Sequence, residues 1–189
     1  MVEGRDSDDE GDQRANAGGD PSEPPPGSTI GTDSSVTIGQ EPSVELDVAD
    51  ARWLADHLGD ALGVMEPLSE GHRVAQVSIR VVGDPTMSEA HLKWCGVEGS
   101  TDVITFHGIE SNGLHVDLLL CIDEAERRSA ELGHETRREL LLYAVHGVLH
   151  CLGHDDRDPD SFERMHREED RVLRAIGVGP VFRPGGETA

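Results

Sequence analysis

From Leu46 onward the apolar residues fall into short periodic runs, and the period changes from run to run. Leu46, Trp53, Leu54, Leu58, Leu62 and Val64 are spaced mostly by three or four, which predicts an amphipathic helix over residues 46 to about 65. Residues 74–82 alternate through Ala75, Val77, Ile79 and Val81 and predict a strand. Asp84-Pro85 predicts a turn, and Ser88 a cap for a short helix ending near Trp94. Two more strands are predicted over 101–106 and 115–122. The second is nearly continuous in apolar residues, as a strand inside a sheet must be when both faces are covered. Helices follow over 123–132, over 137–152 behind a Thr136/Glu139 capping box, and from Asp158-Pro159 to about Ile176. Short connections between helices and strands give an α+β domain, one small sheet lying against the helix of 137–152.

The segment before residue 46 lacks this patterning. It is rich in Asp, Glu, Gly, Ser and Pro, with Asp8-Asp9-Glu10 and Pro24-Pro25-Pro26, and has few large apolar side chains to offset the entropy of ordering. The expected organisation is a disordered acidic extension over 1–45, a domain over 46–178 and a tail over 179–189. No basic, apolar and small-residue succession marks a secretory signal, and no apolar run nears the ~20 residues of a membrane span. Cys95, Cys121 and Cys151 show no CxxC spacing and read as reduced, buried thiols, so the expectation is a cytoplasmic protein with no membrane partner. The formal net charge of −22 disfavours nucleic-acid binding over a broad surface; any RNA contact must rest on a local basic patch.

The candidate chemistry lies in His146-Gly147-Val148-Leu149-His150-Cys151-Leu152-Gly153-His154-Asp155-Asp156. Histidines four apart share one helix face. A glycine three residues past the second can adopt the left-handed conformation that ends a helix, returning His154, Asp155 or Asp156 as a third ligand. Two imidazoles and one further ligand leave a tetrahedral zinc with an open position, as catalysis requires. Leu141, Val145, Val148 and Leu152 form the helix's apolar stripe, and His146 and His150 lie some 140–180° from Leu141, facing a cleft instead of the core.

These residues resemble the YbeY family of bacterial single-strand-specific endoribonucleases, the rRNA maturation factors. The family's H-G-x-L-H-x-x-G-x-D-H signature is matched from His146 through Gly153 and Asp155, with Asp156 where the family has its third His. Its Tyr-Arg-Gly turn and P-T-D-V-L-S-F block appear as Trp94-Cys95-Gly96 and residues 100–106, and its G-D-I block as Val116-Asp117-Leu118. The resemblance implies a zincin-like domain with one Zn²⁺ on His146, His150 and Asp156, His154 being the rival third ligand and Asp155 supporting the ligands from behind or serving the turn. It implies cleavage of single-stranded rRNA, including 16S 3′-end maturation, and ribosome quality control. RNA and the ribosome or its small subunit are then the partners, and DNA is not. Cys95 replaces the family arginine thought to hold RNA, so Lys93 and Arg80 become the expected phosphate contacts. Arg127, Arg128, Arg137 and Arg138 are further candidates, with solvated helical ion pairs as their ordinary reading. Two alternatives stand beside this. One is a zincin-type metalloprotease, which Gly147 disfavours because that position carries the general-base Glu in such enzymes. The other is a non-catalytic, zinc-stabilised ribosome-assembly factor.

Overall fold

The structure, a computed structural model, describes residues 28–32 as backbone and residues 35–65 and 72–181 in full. In chain order the elements are β1 (Ser28–Thr32), β2 (Val36–Gln40), α1 (Val48–Val64), β3 (Val74–Val82), α2 (Asp84–Cys95), β4 (Val103–Glu110), β5 (Gly113–Cys121), α3 (Ile122–Leu132), α4 (Thr136–Cys151) and α5 (Pro159–Ala175). One mixed sheet runs β1-β2-β3-β5-β4. β2, β3 and β5 are parallel, while β1 and β4 pair antiparallel at the two edges. This is the small mixed sheet that the α+β reading predicts.

Strand alternation divides the sheet into two chemically different faces. Val36 and Ile38, Val77, Ile79 and Val81, and Val116, Leu118 and Leu120 point into the main core, which α1 and α4 close and to which α5 adds Met165, Val172 and Leu173. The other face carries Arg80, Ser78 and Asp117 and is partly covered by α2, where Val82, Met87, Ile104 and Cys121 make a second, smaller core. Burying a side chain such as Ile38, Leu54 or Leu58, all with no exposed surface, contributes about 1.5–3 kcal/mol each.

Several expectations are corrected. The ordered domain does not begin at residue 46: β2 lies within the segment expected to be disordered, and Val36, Ile38 and Val44 are buried. Two apolar residues in a five-residue strand are too few to show as a period, but parallel pairing with β3 orders them. Residues 1–27 fall outside the described residues. At the other end Val181 is buried, so the first part of the expected tail belongs to the fold; 182–189 lie outside the described residues. α2 starts at Asp84, with Pro85 in its first turn, instead of at Ser88. The Thr136/Glu139 capping box does not form. Glu135 takes the N-cap position, and Glu139, almost fully buried, makes an ion pair with His134 (2.8 Å). Asp158 does cap α5, in a capping box with Ser161. Cys95 is exposed, contrary to expectation, while Cys121 is buried.

Candidate metal centre

α4 is the helix on which everything else is hung. Leu140, Leu141, Ala144, Val145, Val148 and Leu149 are all fully buried, so its apolar contact is wider than a single stripe. Sheet and helix approach closely at Gly147. A Cβ there would lie 2.8 Å from Leu118 Cδ2 and 2.8 Å from Thr105 Oγ1. The glycine between the histidine positions thus has a steric cause, the seating of α4 on β4 and β5. His146 and His150 occupy the remaining face, partly exposed at 19% and 33%.

The helix ends where the sequence requires it to. The Leu152 N–H bonds back to the Val148 and Leu149 carbonyls, Gly153 takes φ +97°, and the His154 N–H returns to the Leu149 carbonyl (3.0 Å). Asp155 then fixes the turn, accepting from the Asp156 N–H (2.9 Å) and from the Arg157 guanidinium, which pushes its pKa down to about 2. Asp156 is brought back over the histidines. Its Oδ2 lies 3.6 Å from His146 Nε2 and its Oδ1 3.7 Å from His150 Nε2. Among the described residues these three side chains form the cluster able to hold a metal ion, with one ligand atom from each within 4.8 Å of the others. His154 reaches the site through its backbone: its carbonyl accepts from His150 Nδ1 (3.0 Å), and its ring is outside the cluster.

Hydrogen bonding decides which ring nitrogens face the centre. His146 Nδ1–H donates to Glu169 Oε1 at 2.7 Å and His150 Nδ1–H to the His154 carbonyl, so in the neutral rings both Nε2 atoms present lone pairs. Those atoms stand 3.0 Å apart, an arrangement that repels unless a cation or proton lies between them. Ligand atoms on a tetrahedral ion with bonds of about 2.0–2.1 Å stand roughly 3.3 Å apart, so the donor set fits a zinc-sized ion.

Behind the cluster lies Glu169, only 1% exposed, whose second oxygen accepts from His166 Nδ1 at 2.6 Å. Burial pushes the Glu169 carboxyl up, but the two imidazole hydrogen bonds and charges outweigh it and hold the group below the usual carboxylate range. Burial likewise pulls His146 down, and the Glu169 hydrogen bond and charge, with Asp102 and Asp156 adding to them, hold its pKa above the ordinary value. This is the carboxylate–histidine arrangement that orients a metal-ligating imidazole. The cluster opens on a cleft of about 610 Å³ whose lining includes Thr101, Asp102, Arg128, Tyr143, His166 and Val181.

The expected phosphate contacts divide differently. Arg80 projects from the sheet face opposite α4 and is not brought to the metal cluster; the strand alternation that buries Ile79 and Val81 dictates this. Lys93 is on α2, also on that far side, but close to the chain that leads into the cleft at Ser100–Asp102. Arg127 is engaged by Asp84 and Glu124, and Arg137 by Asp50 and Glu135, as the solvated-pair reading expects. Arg138 donates to the Val178 carbonyl. Arg128 pairs with Glu131 and lines the cleft.

Comparison with known proteins gives the family. The model of the family described as Endoribonuclease YbeY matches residues 39–177. The chain belongs to the YbeY endoribonuclease family. An Endoribonuclease YbeY of Beutenbergia cavernae is 33% identical over 155 residues, covering 77% of this chain and 99% of that protein. One from Nocardioides is 32% identical over 151 residues, covering 75% and 97%. A solution structure of a Thermotoga maritima protein is similar at 20% identity and a TM-score of 0.44, covering 81% of this chain and 99% of that one. Membership in the YbeY family, with Gly147 explained by packing, leaves the metalloprotease alternative without support.

Glu169 and His166 were not legible as site residues. The signal was there for Glu169: it interrupts the Met165–Val172 stripe of α5 at helical spacing, an acid on a face that packs inward.

Proposed function

We propose that this protein is a zinc-dependent, single-strand-specific endoribonuclease of rRNA processing, acting in 16S rRNA 3′-end maturation and ribosome quality control. His146, His150 and Asp156 hold the ion. The observation that carries this reading is the pair of Nε2 lone pairs and one carboxylate converging at the mouth of a cleft, held from behind by Glu169. When bound, zinc supplies Lewis acidity toward a phosphoryl oxygen and toward water. The chain supplies the rest. Glu169 and the His154 carbonyl fix the two imidazoles, Asp156 adds negative charge to the ligand set, and the cleft admits a flexible strand. Lys93 contacts RNA phosphate, and Arg80, on the far face, does so only for RNA that extends around the sheet. The substrate is rRNA on the small subunit or its precursor, which places the protein in the cytoplasm. Among the described residues no helix is long and apolar enough to cross a membrane.

The test is cleavage of single-stranded rRNA fragments by purified protein with and without chelator, beside metal analysis. Wild type should carry about one zinc and cleave. His146→Ala should lose both, and Asp156→Ala should lose most of the metal while His154→Ala keeps it. Cleavage that survives chelation and His146→Ala would overturn the proposal. Metal without any cleavage would make the ion structural and the protein an assembly factor.

A further inference from the structure

Lys93 is the only lysine in the 189-residue chain. It lies four residues after Glu89, the ordinary spacing for a helical ion pair, yet among the described residues it enters no ion pair. Instead its ammonium sits 4.5 Å from the centre of the Trp94 ring. Trp94 is 40% exposed and meets Phe106 of β4 edge-on, ring centres 5.5 Å apart, while Leu92 and Val97 beside it are about half exposed. In a chain with 38 acidic residues, a cation that pairs with no described acid and rests on a solvent-facing indole is a local exception to the surrounding charge.

We infer that Trp94, supported by Phe106 and flanked by Lys93, is a stacking platform for a nucleobase of the single-stranded RNA that runs into the metal cleft. The inference rests on the endoribonuclease reading and adds to it where the strand lies. Among the described residues β4 is an edge strand, paired only with β5. Its consecutive residues link the two places: Thr105 lies against Gly147 of the metal helix, and Phe106 lies against Trp94 on the other side of the strand. The chain from Gly96 continues to Ser100, Thr101 and Asp102 in the cleft lining. A single strand can bend around this edge with a base on Trp94 and a phosphate near the metal. A duplex, with its bases paired and stacked inside an A-form helix, cannot. Lys93, on a flexible stem, yields its place on the ring to the base and takes the adjacent phosphate.

The test uses the full chain carrying Trp53→Phe, so that Trp94 is the sole indole, titrated without added metal with a short oligoadenylate, alone or annealed to oligouridylate. Single strand should quench Trp94 fluorescence saturably and the duplex should not. In the wild-type background, Trp94→Ala should weaken single-strand binding about tenfold, with Trp94→Phe retaining most of it. Lys93→Ala should reduce the salt dependence by about one phosphate contact. Equal quenching by duplex, absence of quenching, or unchanged affinity in a folded Trp94→Ala overturns the platform. If wild type still cleaves RNA and His146→Ala does not, only the platform has failed and the nuclease reading stands.

Discussion

Glu169 is buried behind the His146/His150/Asp156 cluster. Each of its buried oxygens takes a ring N–H, one from His146 and one from His166. Glu169→Gln should therefore lower zinc affinity roughly 10–100-fold in a chelator competition, through loss of His146 orientation; equal affinity would deny it that role. The raised pKa of His146 gives a pH prediction. In metal-free protein a group held above its unfolded value near 6.5 contributes stability that is full below that value and is lost as pH rises through the folded pKa. Metal binding needs the neutral ring and displaces the proton, so the gain in melting temperature from zinc should grow with pH across the histidine range. A gain independent of pH would mean that His146 is not a ligand. Gly147→Ala sets two effects against each other. Ala improves helix propensity by about 1 kcal/mol, while the 2.8 Å approaches overpack an interface at a cost of about 1–3 kcal/mol. The net should be a lower denaturation midpoint.

At the scale of elements, the parts with a period were legible and those without were not. β3 runs from Val74 to Val82 as its alternation requires, and the His146/His150 helix lies where its apolar residues put it. β2 was missed because its identity comes from a partner 41 residues away, Val36 beside Val77 in the parallel ladder. Local spacing carries no trace of such pairing. That Arg80 lies away from the metal helix was implicit in a correct strand assignment: odd- and even-numbered residues of β3 fall on opposite faces, and α4 packs on the odd-numbered one. Which acid joins the two histidines required the turn geometry, which depends on the αL residue Gly153 and the Asp155–Arg157 pair. Ile38→Ala should cost about 2–5 kcal/mol, and deletion of residues 1–45 should prevent folding, both read by denaturant titration. A normal midpoint after that deletion would contradict the sheet order.

At the scale of the whole molecule, charge governs approach. Of the formal −22, residues 1–27 contribute eight acids against two arginines, and the rest of the chain remains acidic without them. Removing 1–27 should leave the melting transition and RNA cleavage intact and raise RNA affinity modestly at low salt. The difference should vanish as the Debye length falls toward about 3 Å at 1 M salt. Unchanged low-salt affinity would show that the segment stays away from the RNA path. The position of Glu169 on the last helix has a consequence for the order of synthesis. The five described strands all precede α4 in the chain, the three candidate ligands follow between residues 146 and 156, and the carboxylate that bonds His146 comes later still. During elongation at about 5–20 residues per second the sheet can assemble before the centre exists. The strands of a protein that acts on RNA are thus made before the His146/His150/Asp156 cluster, and the carboxylate that orients His146 is made last.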